Sequence, residues 1–132
     1  MIGGGNLKMF DNYCYGPVDI ISIRRGNNTM WLQLLDTTGR KAQAIYRGCV
    51  YWFLGRKEKD LHIPLVIKIS ASELLSRTSS VILTELHRNS DNIESLIKNW
   101  ENEGLNFYLH FGPDKGSEFL VVAKSLDYHD LS

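Results

Sequence analysis

The chain has 132 residues, of which 43% are hydrophobic and 23% are charged, and its formal net charge is zero. These fractions are those of an ordinary globular protein and exclude a low-complexity chain. A chain of this length buries about two-thirds of its unfolded surface. We therefore expect one domain over residues 1–132, with a core that needs neither disulfides nor metal ions.

The sequence contains no apolar run of about 18 residues, so we expect no membrane span. Its first residues, Met1–Lys8, lack the apolar centre of a secretory signal, and we expect a cytoplasmic protein. Whether Met1 or Met9 is the natural start is left open. Cys14 and Cys49 form no disulfide framework, although a bridge between them is an open alternative.

Charge is unevenly placed along the chain. Residues 1–68 hold ten Lys and Arg against five Asp and Glu, a net charge of +5, and residues 69–132 hold five against ten, a net charge of −5. Either the two halves attract each other within the fold, or they form a basic face and an acidic face, one of which meets a partner.

Strand patterns dominate the first part of the chain. Residues 1–17 are predicted to be irregular, and four strand-length runs follow, separated by Gly or Asn: Val18–Arg25, Thr29–Leu35, Lys41–Arg47 and Cys49–Leu54. The pattern predicts an antiparallel meander with a tight hairpin after the first strand. The fourth run is apolar throughout, which favours a central position in the sheet.

The middle of the chain is mixed. Leu61–Ser70 is predicted to be extended, with Pro64 at an edge, a bulge or a break because proline has no N–H. Ser72–Ser76 is predicted to form one helical turn, and Ser80–Arg88 is predicted to form another strand.

One amphipathic helix is predicted from about Asp91 to Glu103, with Ser90 or Asp91 as its N-cap. Gly104 follows, where a helix-ending glycine belongs. The apolar stripe of this helix has helical spacing and is expected to close the inner face of the meander. The stripe consists of Ile93, Leu96, Ile97 and Trp100.

A second hairpin closes the chain, from Leu105–Phe111 to Glu118–Lys124. His110 alternates out of its first strand, which predicts an exposed side chain. Residues 126–132 are predicted to be a frayed tail. The fold class expected is α+β: a curved antiparallel sheet of about six to eight strands, packed against one main helix at about residues 91–103.

No motif for catalysis, metal binding or nucleotide binding is present. The four histidines are not spaced like a zinc pair, and the serines lie outside a GxSxG elbow. The glycines at 3–5 have no preceding strand and no following Lys-Ser/Thr, so they do not form a phosphate loop. We therefore expect no cofactor, no metal ion and no catalytic residue.

One cluster of rings and cations resembles a surface for single-stranded nucleic acid, in which bases stack on rings beside basic residues. The opposing interpretation is that the rings are core and the cations are solvated; a net-neutral chain also lacks the usual basic footprint, so nucleic acid is not the expected partner. The cluster comprises Tyr46, Arg47, Tyr51, Trp52 and Phe53, followed by Arg56, Lys57 and Lys59.

The order of these pieces resembles that of small bacterial immunity proteins encoded beside polymorphic or contact-dependent growth inhibition toxins. The resemblance rests on an aromatic-Asp patch, a strand pair, a strand ending in an aromatic run, a further strand, a helix and a final hairpin. These pieces are Phe10–Tyr13, Val18–Arg25, Thr29–Leu35, Arg47–Phe53, Val81–Leu86, the helix after Ser90, Phe107–Phe111 and Glu118–Ala123.

The resemblance implies a non-enzymatic inhibitor that binds a cognate toxin protein and blocks its active site. If that toxin is basic, we expect the acidic helix residues Asp91, Glu94, Glu101 and Glu103 to meet it and to raise the association rate. The alternative is a binding module for a small ligand or a single nucleic-acid strand. Its site would be the aromatic and basic face that includes Trp52, Arg56, Lys57 and Lys59.

Overall fold

The computed structural model describes residues 13–53, 61–77, 80–112 and 118–131. Within these ranges the chain forms ten strands and three helices. The strands are β1 (Tyr13–Tyr15), β2 (Val18–Gly26), β3 (Thr29–Asp36), β4 (Lys41–Arg47), β5 (Tyr51–Phe53), β6 (Leu61–Ile63), β7 (Leu65–Ile69), β8 (Asn106–Phe111), β9 (Glu118–Ala123) and β10 (Ser125–Asp130). The helices are α1 (Ala71–Arg77), α2 (Ser80–Asn89) and α3 (Ile93–Asn102).

The strands form two five-stranded sheets, and every strand pair is antiparallel. Sheet A has the order β1-β7-β8-β9-β5, and sheet B has the order β10-β4-β3-β2-β6. The predicted class, α+β with antiparallel strands, is confirmed. The predicted single sheet of six to eight strands and the single main helix differ from the ten strands and three helices found in the described residues.

Sheet A is the middle of three layers, because both of its faces are apolar. In β8, Tyr108 and His110 lie in the core shared with sheet B. Phe107 and Leu109, which alternate with them, lie in the core shared with the helices. Two hydrophobic cores result, one on each side of sheet A.

The predicted meander is β2, β3 and β4 of sheet B. Asn27 and Asn28 have φ angles of 48° and 61°, as the tight hairpin between β2 and β3 requires. The inner face of the meander packs on sheet A, not on the helix stripe. Ile97 and its neighbours in α3 cover the opposite face of sheet A, so the predicted closure of the meander by this helix is wrong.

The predicted central strand Cys49–Leu54 is also corrected. Only Tyr51–Phe53 forms a strand, β5, and it lies at an edge of sheet A. Val50 is 50% exposed, and Leu54 lies outside the described residues. The chain leaves sheet B after β4 at Gly48, whose φ is 64°, and Val50 N then donates to Val122 O of sheet A.

In the middle of the chain, some predicted strands and helices are confirmed and others are wrong. The extended run is broken at Pro64 into β6 and β7, as predicted, and the predicted helical turn is the longer helix α1. The predicted strand Ser80–Arg88 is wrong, because these residues belong to helix α2. Ile82 and Leu86 lie one helical turn apart, and both are fully buried against sheet A.

The predicted amphipathic helix exists as α3, with shifted ends. Its N-cap is Asn92, whose side-chain oxygen accepts from Ser95 N at 3.0 Å, so neither Ser90 nor Asp91 has that role. Gly104 follows the helix with a φ of 81°, a backbone conformation suited to glycine.

Both predicted irregular ends contain a strand. Tyr13–Tyr15 forms β1, while residues 1–12 lie outside the described residues. The predicted frayed tail is wrong through Asp130, because β10 pairs along its length with β4. The side chains of this strand are mostly polar, and backbone pairing with a neighbouring strand holds it in place.

One chain of hydrogen bonds joins the two sheets in the core. Tyr46 OH lies 2.7 Å from His110 Nε2 and 2.8 Å from Tyr15 OH, and His110 Nδ1 lies 3.1 Å from the carbonyl oxygen of Tyr108. The carbonyl can only accept, so Nδ1–H donates to it. In a neutral imidazole Nε2 then accepts from Tyr46, and Tyr46 accepts from Tyr15. The prediction of an exposed His110 is wrong, since its exposure is 0%.

Burial sets the protonation of this chain of groups. It lowers the pKa of His110 to about 4, because a charged imidazolium is poorly solvated in the core. Burial likewise raises the pKa values of Tyr15 and Tyr46 above the ordinary value for tyrosine. All three groups are therefore neutral at pH 7.

We predict that the free energy of unfolding falls as the pH is lowered from about 6.5 to about 4. In this window the unfolded chain binds a proton at His110 that the folded protein does not bind, because the folded pKa is the lower one. The contribution approaches about 1.4 kcal/mol per pH unit and totals about 3 kcal/mol. Urea unfolding at a series of pH values measures it.

The variant His110→Gln keeps a hydrogen-bonding side chain but has no group that titrates in this range. We expect this variant to be less stable at pH 7. Its free energy of unfolding should also depend less steeply on pH, by the contribution of about one proton. An unchanged slope in this variant would show that other groups cause the acid sensitivity.

Candidate functional site

The helix layer contains a groove of about 270 Å³ between α1 and α3. Its wall on the α1 side is formed by Ser70, Ala71, Ser72 and Leu75, and its wall on the α3 side by Glu94, Ile97, Lys98 and Glu101. Two of the four acidic residues predicted to bind a partner, Glu94 and Glu101, therefore lie in one concave site.

A reciprocal pair of hydrogen bonds fixes the start of α1. Ser70 Oγ accepts from Glu73 N, and Glu73 Oε1 accepts from Ser70 N, both at 3.1 Å. This capping box satisfies backbone donors that the first helical turn leaves without helical partners. It sets where the α1 side of the groove begins.

On the other side of the groove, α3 is anchored from below. Ile93 and Ile97 are buried against sheet A. Glu94, Lys98 and Glu101 follow at i, i+4 and i+7, so they share the helix face beside the groove. All three of these side chains are exposed.

The groove has an apolar floor and a charged rim. Ile97 is fully buried and Leu75 is half-buried, while carboxylates stand at both ends of the α3 wall, with the Lys98 ammonium between them. Such a site can hold the methylene groups of a long basic side chain against Leu75 and its charged end on a carboxylate.

The two remaining predicted acidic residues lie outside the groove. Asp91 stands just before α3 and Glu103 just after it, and both are exposed. Of the four carboxylates, the inner two therefore line the groove, and the outer two lie beyond the ends of α3.

By sequence, the helix layer as a whole is acidic. Residues 70–104 hold six Asp and Glu against three Lys and Arg, and one of the cations, Arg88, lies 3.2 Å from Glu85. The acidic residues are Glu73, Glu85, Asp91, Glu94, Glu101 and Glu103, and the cations are Arg77, Arg88 and Lys98. This layer covers the face of sheet A that points away from sheet B.

Trp52, the aromatic member of the alternative site, lies in β5 at the edge between the two sheets. The guanidinium carbon of Arg25 lies 4.1 Å from the centroid of its ring. The two side chains border an open pocket of about 280 Å³ that also contacts Cys49. The predicted basic residues Arg56, Lys57 and Lys59 lie outside the described residues.

The aromatic and basic cluster predicted from the sequence does not form one face. Tyr46 is buried between the sheets, whereas Arg47 lies on the outer side of sheet B, with its Nε 2.9 Å from Asp127. Tyr51 belongs to sheet A and packs on Trp100, with ring centroids 5.5 Å apart. Neighbours in the sequence are thus divided between different surfaces.

Tyr51 also carries a buried hydroxyl for which the described residues supply no hydrogen-bond partner. Burial raises its pKa to about 12, and the nearby carboxylate of Glu85 adds to the shift. This hydroxyl is therefore protonated and neutral at pH 7.

The two cysteines are free thiols. Burial raises the pKa of each, and in Cys49 the thiol also donates to Tyr51 O at 3.6 Å. Because the thiolate is the nucleophile, neither thiol is activated for attack at pH 7.

Within the described part of the chain, no group of three or more His, Cys, Asp or Glu residues is arranged to hold a metal ion. None of the described helices is long and apolar enough to cross a membrane.

Comparison with known proteins found no match to a family model, to a curated protein or to a solved structure.

Sequence reasoning did not find the α1 side of the groove or the role of Arg25. The spacing Ser70-x-x-Glu73 is a capping-box signal that would have predicted the start of α1. No local pattern indicates that Arg25 meets Trp52, because the two residues belong to different sheets.

We predict that Ser70→Ala lowers the free energy of unfolding by about 1 kcal/mol, since it removes an N-cap. The matched control is Ser76→Ala, in the last turn of the same helix, where the hydroxyl makes one longer contact of 3.4 Å to Glu73 O. We expect the control to be close to wild type in urea unfolding. Equal losses in the two variants would contradict the capping role of Ser70.

Proposed function

We propose that this protein is a non-catalytic inhibitor that neutralises a cognate bacterial toxin by direct binding, and that it acts in the cytoplasm. The observation that carries the proposal is the groove between α1 and α3, which combines an apolar floor with the carboxylates of Glu94 and Glu101. The sequence resemblance to immunity proteins supplies the class of partner, and the groove supplies the contact.

The groove suits a basic protein surface. A lysine or arginine of the toxin can lay its methylene groups on Leu75 and place its charge on a rim carboxylate. Lys98 lies between the two glutamates, so the wall presents acid, base and acid in order. A partner with the opposite order of charges is favoured, and a uniformly basic one is not.

The wider acidic layer supports the same partner. Carboxylates spread over the helices, including Asp91 and Glu103 at the ends of α3, attract a basic protein over distances comparable to the Debye length of about 8 Å. Such charges raise the association rate more than they lower the dissociation rate. We therefore expect the outer pair, Asp91 and Glu103, to act mainly on the association rate. The inner pair, Glu94 and Glu101, is expected to act mainly on the dissociation rate.

The buried groups of the core support binding over catalysis. His110, with its lowered pKa, has no exposed surface, and the two thiols have raised pKa values. A general acid, base or nucleophile must reach its substrate with a pKa close to the working pH. His110 satisfies neither condition, and the two thiols do not satisfy the second.

We predict that this protein relieves the toxicity of the protein encoded by the reading frame immediately upstream of its own gene. The upstream protein, produced alone from an inducible promoter, is expected to arrest growth of a bacterial host. Co-expression of this chain should restore growth, and the two proteins should co-purify in equal amounts. If the upstream protein arrests growth and co-expression leaves the arrest unchanged, the proposed function is wrong.

A second prediction separates the groove from the general acidity of the helix layer. Glu94→Gln combined with Glu101→Gln should raise the dissociation constant for the toxin about tenfold to hundredfold, mainly through faster dissociation, because charge-assisted contacts are lost. The matched control, Asp91→Asn combined with Glu103→Gln, removes the same charge outside the groove.

Surface plasmon resonance at low and moderate salt distinguishes the two pairs. The control pair should slow association by only a few-fold and should reduce its salt dependence. If both pairs have the same effect, binding depends on overall charge and not on the groove. If neither has an effect, the acidic helix surface is not the contact.

A further inference from the structure

The strand β10 forms one edge of sheet B, with β4 on its inner side. Among the described residues, no strand pairs with its outer side. An edge strand of six residues carries backbone donors and acceptors that can pair with another strand. Natural proteins protect such edges by covering them, by charge, or by pairing with a further chain.

The register identifies which backbone groups point outward. Leu131 N donates to Lys41 O at 2.8 Å, and the pairing with β4 advances without a shift from Ser125 to Asp130. In an antiparallel ladder alternate residues form the hydrogen-bonded pairs, so Asp127 and His129 direct their backbone groups to β4. Leu126 and Tyr128 direct theirs to the outer edge.

We propose that the outer edge of β10 binds the same strand of a second copy of this chain, in antiparallel register about a two-fold axis at Tyr128. This arrangement pairs Tyr128 with itself through two backbone hydrogen bonds. It also joins the two copies of sheet B into one continuous ten-stranded sheet.

Side-chain hydrogen bonding selects this register. With the axis at Tyr128, Asp127 of each copy lies opposite His129 of the other, and an imidazole N–H can donate to the carboxylate. An axis one residue earlier would place Asp127 opposite Asp127, and an axis one residue later would place His129 opposite His129. Only the axis at Tyr128 gives two favourable cross-strand pairs on the outer face of the sheet.

The aromatic ring at the axis supports a second copy as the occupant. The Tyr128 ring is 41% exposed, although its inner side stacks on Tyr15 with centroids 5.0 Å apart. In the proposed register two such rings meet across the axis and cover one another. Asp130 lies opposite Leu126, and its carboxylate stays 3.7 Å from Arg40 of its own chain.

Sedimentation equilibrium of the full chain tests the association. We expect a monomer–dimer equilibrium with a dissociation constant on the order of micromolar or weaker, since an interface of one strand pair is small. A chain that stays monomeric up to its solubility limit would overturn the proposal.

Charge reversal tests the register. Asp127→Lys removes the carboxylate that accepts from His129 and should weaken dimerisation about tenfold. Asp127→Lys combined with His129→Asp should restore it, because a lysine and an aspartate then lie opposite each other. Both variants lose the contact of Asp127 with Arg47, so that loss cannot account for a rescue. A dimer that is insensitive to the first change, or is not restored by the second, would show that β10 is not the interface.

Hydrogen exchange provides a test without mutation. The amides of Leu126 and Tyr128 should exchange rapidly in dilute protein and become protected as the concentration rises. The amides of Asp127 and His129 face β4 and should be protected at all concentrations, as an internal control. Protection of Leu126 and Tyr128 in the dilute monomer would mean that another segment of the same chain covers the edge, and would overturn the proposal.

Discussion

Sheet A must be covered on both faces, and the rest of the structure follows from that requirement. The alternation in β8 places Phe107 and Leu109 on one side and Tyr108 and His110 on the other, and none of these side chains is exposed. An antiparallel sheet with one apolar face needs one covering layer, whereas a sheet buried on both faces needs two. The meander supplies one layer and the three helices supply the other.

The core between the sheets contains a polar path as well as apolar contacts. Tyr15 and His110 come from sheet A and Tyr46 comes from sheet B, so their hydrogen bonds join the sheets at one fixed alignment. Apolar side chains alone would tolerate a small slide of one sheet over the other. A buried hydroxyl that loses its partner costs about 1–3 kcal/mol, so a slide that separates these atoms is unfavourable.

The sequence predicted the elements that short-range patterns define. It failed to predict burial that depends on a second covering layer. The hairpin at Asn27 and Asn28 and the helix around Ile97 carry their own turn and stripe signals. The alternation also placed His110 correctly on the opposite face to Leu109. Its exposure was predicted wrongly because one covering layer was assumed where the protein has two.

Two other errors have different physical causes. The residues around Ile82 are rich in apolar and β-branched types that favour strands, but burial of Ile82 and Leu86 on one helical face outweighs that preference. In β10 the side chains give almost no strand signal, because the strand is held by backbone pairing with β4. Such pairing depends on residues about 80 positions away, which a local pattern does not contain.

The candidate site was predictable only in part, for the same reason. The shared helix face of Glu94 and Glu101 can be read from helical spacing, but the groove also needs α1, a helix of seven residues. A helix this short is unstable alone and depends on its cap and on the buried side chain of Leu74. The concave shape is therefore a property of the packed layer.

This dependence also determines which residues can test the proposed binding. Ile97 lines the groove and is fully buried in the core beneath it, so a change at this position alters the stability of the fold and the shape of the groove together. Glu94 and Glu101 stand on the rim with exposed side chains, and removing a surface charge costs the fold little. The carboxylates proposed to bind the partner are thus residues that the core does not need, while the shape of the groove stays fixed by residues that it does.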